Sequence, residues 1–278
     1  YAAPSLAAEW CIAPAVLVVV FSAGLLGMSA GAMFIAPYAD RIGRRTIILL
    51  SFLLTGFGPL ATAVVPSVES LIGLRFITGL GIGAILASVA TMAAEFAPDR
   101  QRNLILVCIL AGYPIGATIF GVIAADVIPA FGWRALFALA GIVSLAAFPL
   151  VWILLPESLD FLIRMRPAGA LEKVNQIINR MGHAPLNELP LALPVIASGK
   201  VKSLFSAELF RPTIFLWLAF FMNFAALYFL ASWIPKLSSA AGLPLNLAIY
   251  SGAIFNLGAV FGIALSGYLS QKWGLRRV

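Results

Sequence analysis

Long uncharged apolar stretches follow one another along this chain, broken by short polar turns. They run from Cys11 to Ala39, Thr46 to Val68, Asn103 to Ala125, Ala135 to Pro156, Thr213 to Pro235 and Leu237 to Gln271. Each is long enough for a membrane-spanning helix, which needs roughly 20 apolar residues. A seventh run, Leu71 to Ala94, is interrupted only by Arg75. Strands of about ten residues with alternating polarity are absent, and an open sheet would leave backbone N–H and C=O groups unpaired in lipid. The pattern therefore predicts an all-α membrane protein.

Polarity rises between residues 157 and 211, which divides the chain into a helical part at 1–156, a linker at 157–211 and a second helical part at 212–278. Within the linker, Ala168 to Met181 places Leu171, Val174, Ile177 and Ile178 on one face, the signature of an amphipathic surface helix. Its plain role is a solvated linker helix resting on the membrane; a regulatory partner site is the sharper alternative. The two helical parts also repeat. At an offset of 231 residues Gly27 falls on Gly258, Gly31 on Gly262, Gly43 on Gly274 and Arg45 on Arg276. Both copies carry a small-xxx-small pair, which lets helix backbones approach closely, and both are followed by a basic turn. A parallel repeat across a long linker is the pattern of a transporter with two similar halves.

Composition agrees: 62% of residues are hydrophobic, 10% are charged and mean hydropathy is +1.03. Basic residues fall unevenly, with Arg41, Arg44, Arg45, Arg100, Arg102, Arg164, Arg166, Lys173, Arg180, Lys200, Lys202, Arg211, Lys272, Arg276 and Arg277 on one side of the spans. Arg134 and Lys236 are on the other, so the first side is expected to be cytoplasmic and the protein multi-pass in the inner (plasma) membrane. The net charge of +7 is then topology and not a nucleic-acid footprint. Cys11 and Cys108 lie at or within apolar spans and read as free thiols. The single histidine, His183, has no ligand cluster around it, and no nucleophile–base set is present, so neither a metal, a cofactor nor an enzyme is expected. A seven-helix receptor or light-driven pump is the rival of a different class; the repeat and the linker oppose it, and no lysine sits in the middle of the last span.

The turn from Ala36 to Arg45 (APYADRIGRR) combines Asp40, which can cap a helix end, Gly43 for a sharp turn, and Arg41, Arg44 and Arg45 as anchors. It resembles the signature loop between helices 2 and 3 of the major facilitator superfamily, with Ala36 in place of the family's first glycine. In the family this loop is a latch between the halves; basic residues that merely fix topology are the alternative. The second copy, Gly267 to Arg277, has Gln271 where the acid would stand, implying a weaker latch. Downstream of Arg75, the glycines at 79, 81 and 83 resemble the family's second motif. An arginine inside a span costs roughly 2.5–3.5 kcal/mol on insertion scales, so Arg75 should face a cavity or a partner, unless it snorkels to the nearby outer surface. Glu95 and Arg102 are the expected partners of the Asp40 loop.

The family's antiporter signature would put a proline directly after Gly116; Ala117 stands there, which favours symport or uniport. Pro114 is expected to kink its helix, and Tyr113 either bonds substrate in the opened turn or simply packs. Trp217, Phe221, Phe224 and Tyr228 share one face of the span after the linker and either pack or stack on a planar substrate. Asn223 and Asn256 either bind substrate or bond across helices.

The stub YAAPSLAAEW with PYADRIGRR, LRFITGLGIGA, AEFAPDRQR, FGWRALF, LPESLDFL and YFLASWIPKLSSAAG resembles the aromatic acid:proton symporter family. The resemblance implies a major facilitator fold truncated to the end of helix 1 through helix 8 of twelve. It implies import of a small organic anion, an aromatic carboxylate, together with protons, by alternating access. Sugar or general metabolite:proton symport within the superfamily is the alternative. Substrate contacts are expected from Arg75, Tyr113, Asn223, Tyr228 and Asn256, and gating from Asp40, Arg41, Gly43, Arg44, Arg45, Glu95 and Arg102. Partners are expected to be the organic anion, protons and the lipid bilayer. In the family an acidic pair lies on helix 1, upstream of Tyr1; the acids here, Glu95 and Asp126, sit near the interfaces.

Overall fold

Proline in the first turn, where a helix has no use for the missing N–H, opens both α1 (Ala3–Glu9) and α2 (Pro14–Ala30) in the computed structural model. The structure describes residues 1–98, 102–190, 205–206 and 208–273. Beyond α2 the helix continues through a π turn, Gly31–Ile35, and a 3-10 turn, Ala36–Tyr38, into the short α3 (Ala39–Ile42). Gly43, at φ 100°, turns the chain sharply into α4 (Arg44–Ala63). Ser67 opens α5 (Val68–Phe96), its hydroxyl accepting the Ser70 N–H at 3.3 Å.

The next element, α6 (Arg102–Leu154), holds 53 residues. At 1.5 Å per residue it is about 80 Å long against a hydrocarbon core of about 30 Å, so it makes two spans. The chain leaves helical geometry at Gly132 (φ 80°, ψ 169°), and the two runs read from the sequence meet at that corner. Pro114, where a kink was expected, stays within helical geometry, as do Pro129 and Pro149. After α7 (Leu159–Met165) and α8 (Ala170–Arg180) come α9 (Phe210–Ala240) and α10 (Leu245–Trp273). Six of these helical stretches are long and apolar enough to cross a membrane.

Two compact units form. The first contains Tyr1–Phe161 and the segment from Ile234 on. In it α2 packs on α5, α5 on α4, and α6 on both α4 and α10. Glycine decides the closest of these approaches: a Cβ at Gly27 or Gly31 of α2 would run into backbone atoms of α5, and one at Gly79 or Gly83 of α5 into backbone atoms of α2. Gly81 presents its bare side to α4, where a Cβ would lie 3.0 Å from the Ser51 carbonyl oxygen and the Leu54 Cβ. Gly79, Gly81 and Gly83 thus all admit neighbouring helices. Leu6, Leu17, Val20, Val65, Leu71 and Trp133 form one buried cluster, and Ala124, Ala125, Ile128, Leu136 and Ile249 another. Large apolar side chains such as Leu26, Phe34, Phe57, Ile119 and Phe261 are exposed, as suits helices whose outer solvent is lipid.

The second unit spans Leu162–Trp233. Leu162 and Val174 are buried in it, and the Asn175 amide clamps the Leu186 backbone, donating at 3.0 Å and accepting at 2.8 Å. Part of the linker, residues 191–204 and 207, lies outside the described residues, as do 99–101 and, in the second copy of the signature loop, Gly274, Arg276 and Arg277.

Candidate functional site

At the basic end of α4 the sequence brings acids and bases into one buried junction. Arg44 is 8% exposed and pairs with Glu95 at the end of α5; its other partner is Asp40 of α3, one turn back, at 3.3 Å. Asp40 is largely exposed and Glu95 is not, so the Glu95 pair is the stronger of the two. The second Glu95 oxygen accepts the Ser158 hydroxyl at 2.6 Å, which leaves this carboxylate satisfied on both sides.

Glu157 does separate work. Its Oε1 accepts the backbone N–H of Arg45 and that of Ser158, each at 3.0 Å. A carboxylate from the end of α6 therefore caps the N-terminus of α4, where unpaired N–H groups and the helix dipole both favour an anion. Gly43 fits this junction on two counts, its positive φ and a missing Cβ that would collide with the Glu157 carboxylate. The Arg45 guanidinium lies over Trp152, 5.6 Å from the ring centre, and donates to the Trp152 carbonyl at 2.6 Å. Arg41 lies over Tyr38 at 5.9 Å. The Arg102 Nε donates to the Ala94 carbonyl at 3.2 Å, covering the end of α5. Glu157 and Ser158 are site residues that the sequence by itself does not single out.

Toward the other end of α5, two turns inside, stands Arg75. Its Cζ lies 4.7 Å from the centre of the Phe137 ring, and its Nε is buried without a hydrogen-bond partner. Among the described residues no hydrogen bond or ion pair reaches this guanidinium. Next to it an aromatic clasp closes the α6 corner. Gly132 turns Trp133 inward to 1% exposure, Trp133 Nε1 donates to Glu9 at 2.6 Å, and Arg134 pairs with the other Glu9 oxygen while lying over the Trp133 ring at 4.5 Å. Trp10 and Phe137 meet Trp133 edge-on, at 5.5 and 5.8 Å.

Asn256 is held through a residue the sequence did not single out, Tyr1, while Tyr113 is exposed. Tyr1 sits between α6 and α10, over bare Gly121 and Gly252, where a Cβ would meet its ring at 2.7 and 3.0 Å. Its hydroxyl donates to the Ala117 carbonyl at 2.8 Å and accepts from Asn256 Nδ2 at 3.2 Å; Asn256 also donates to its own helix at Gly252, 2.9 Å away. Asn256 therefore does bond across helices. Asn223 and Tyr228 lie on α9 in the other unit, Asn223 exposed and Tyr228 stacked on Phe224, which stacks in turn on Phe220. The ring contacts thus follow 220, 224 and 228; Trp217 contacts Phe205 instead. Between α6 and α10 a cavity of about 550 Å³ is lined by Ala125, Asp126, Pro129, Ala130, Leu245 and Asn246.

Apolar helices packed through glycines, with a charged junction at one end and, among the described residues, an arginine without an acceptor on α5, define a polytopic helical membrane protein. The sequence profile of the Major Facilitator Superfamily matches residues 1–278, and the chain belongs to that family. It is 35% identical to the 4-hydroxybenzoate transporter PcaK of Acinetobacter baylyi over all of this chain and 62% of that protein. It is 31% identical to a gallate transporter of Pseudomonas putida, again over all of this chain and 62% of the relative. The chain thus spans about 62% of the length of these relatives. Among solved structures, the xylose transporter XylE of E. coli shares the fold with a TM-score of 0.69 at 18% identity, over 95% of this chain and 65% of that one.

Proposed function

We propose that this chain is part of a secondary transporter of the inner membrane that imports an aromatic carboxylate together with protons, and that Arg75 binds the carboxylate. The observation that carries the reading is the unpaired guanidinium: a cation held among apolar helices with its Nε buried and no acceptor among the described residues. Such a group needs an anion, and a planar guanidinium meets a carboxylate with two parallel charge-assisted bonds. The names of the relatives, transporters of 4-hydroxybenzoate and gallate, supply the substrate class. Tyr113 and Asn256 are proposed polar contacts of the substrate, and Asn223 and Tyr228 on α9 are proposed separately as a polar and an aromatic contact. The junction of Asp40, Arg41, Gly43, Arg44, Arg45, Glu95 and Arg102, extended by Glu157 and Ser158, is the proposed cytoplasmic latch, because its buried ion pair has to break for the helix ends to part. Such a chain is a transporter and not an enzyme.

The test is uptake of labelled 4-hydroxybenzoate by cells expressing the full-length protein at matched membrane levels. Arg75→Ala should abolish saturable uptake, and Arg75→Lys should retain a small part of it, since loss of a charge-assisted contact is worth roughly 1.5–3 kcal/mol, about ten- to hundredfold in affinity. Unchanged affinity and rate in Arg75→Ala would reduce the arginine to a topology residue. Saturable uptake of xylose in place of the aromatic acid would favour the sugar reading.

A further inference from the structure

We infer that Phe137 is the positioning residue of the Arg75 site, and that the clasp of Glu9, Trp133 and Arg134 exists to hold Phe137. The inference rests on the reading of Arg75 as the carboxylate site and goes beyond it. An arginine side chain is long and flexible, and one with no acceptor would swing toward water or headgroups. At Arg75 the one described partner is a ring: Cζ lies 4.7 Å from the centre of Phe137. A ring attracts the cation through its π face but accepts none of the N–H bonds in the way a carboxylate does. The guanidinium is thereby restrained while its five donors stay uncommitted, the state that a carboxylate-binding group needs before substrate arrives. An acid in place of Phe137 would hold the arginine harder and would also compete for its donors.

Phe137 is itself held by a second ring. It stands one helical turn from Trp133 on the same face of α6, so the two rings meet edge to face at 5.8 Å and 83°. Trp133 cannot shift, being 1% exposed, bonded through Nε1 to Glu9 at 2.6 Å and covered by the Arg134 guanidinium at 4.5 Å. Trp10 closes the remaining edge at 5.5 Å. The corner at Gly132 makes this possible, because its φ of 80° brings Trp133 into the core within one residue of the turn. Charge on the exposed rim, Glu9 with Arg134, is thus connected by three aromatic contacts to the partly buried cation of α5.

Three variants of the full-length protein test this, with Arg75→Ala alongside, by concentration-dependent uptake of labelled 4-hydroxybenzoate at matched membrane levels. Phe137→Leu removes the ring, Phe137→Met removes it at similar volume, and Phe137→Tyr keeps it. We expect the apparent KM to rise about tenfold in Phe137→Leu and Phe137→Met with the maximal rate within about twofold, and Phe137→Tyr to stay within about twofold of the parent in both. If Phe137→Leu fails to reach the membrane, the Met and Tyr pair decides. Loss of the same size with and without the ring means ordinary packing and overturns the inference. So does an unchanged KM in Phe137→Leu and Phe137→Met while Arg75→Ala abolishes uptake, which leaves the carboxylate reading intact. Normal uptake by Arg75→Ala sinks both.

Discussion

Arg44 and Arg75 are both arginines taken out of water, and they settle that cost differently. Arg44 is matched by Glu95, whose second oxygen is satisfied by Ser158, and by Asp40 one turn back, so its charge is compensated within the fold. Arg75 is matched by a ring alone. Under the proposed function, that contrast separates a group that holds structure from a group that waits for a ligand. Glu9 offers a third case, at the rim and outside the apolar spans. The Arg134 guanidinium and the Trp133 N–H hold its carboxyl below the ordinary value of 4.5, against a smaller opposing effect of desolvation. A carboxyl whose folded pKa is depressed contributes stability above its unfolded value and loses it as pH falls through the folded one. The parent should therefore lose thermal stability between about pH 5 and pH 3 more steeply than Glu9→Gln, by a small margin because the pair is partly exposed. Parallel melting curves for the two proteins in detergent across that range would contradict it.

The same small-xxx-small spacing has two fates at the level of elements. Gly27 and Gly31 on α2 are covered by α5, where Gly79 and Gly83 return the contact, whereas Gly258 and Gly262 on α10 have nothing within 4 Å of where a Cβ would stand. A methyl group at Gly83 has to push two backbones apart; one at Gly258 meets open space. In the 278-residue chain in detergent, Gly83→Ala should lower stability by about 1–3 kcal/mol and Gly258→Ala by less than about 0.5 kcal/mol. Tryptophan-fluorescence melts of the two variants provide the check, and equal losses would show that the α2–α5 approach is not what glycine is there for. The corner of α6 follows the same logic in the opposite direction. Periodicity reads two apolar runs, and glycine at a positive φ lets them join with no loop between them.

At the scale of the molecule, charge asymmetry is the feature that orients everything else. Arg41, Arg44, Arg45 and Arg102 gather where α3, α4 and α5 end or begin, and Arg134 stands beyond the opposite ends at the α6 corner. Positive charge is retained on the cytoplasmic side during insertion, so the latch should face the cytoplasm. In an otherwise cysteine-free protein, a cysteine at Phe131 should react with a membrane-impermeant maleimide in intact cells. One at His183 should react only after permeabilisation. The reverse pattern would invert the topology and remove the cytoplasmic latch with it.

The spacing of apolar residues was enough to determine an all-helical membrane protein, the positions of its spans and the amphipathic α8, because helix length against bilayer thickness and a period of 3.6 are local properties. The APYADRIGRR turn and its resemblance were enough for the superfamily. What lay beyond the sequence were the partners. Nothing in the string distinguishes Glu157, which caps a helix 112 residues away in the chain, from an ordinary surface acid, or Gly27 from Gly258. Phe137 and Tyr1 lie in stretches that carry the resemblance, FGWRALF and YAAPSLAAEW, yet each matters through what faces it from elsewhere in the fold. Local periodicity is written into consecutive residues, whereas the pairing of a buried cation with a ring, or of a carboxylate with a helix end, exists only once distant segments have been packed together.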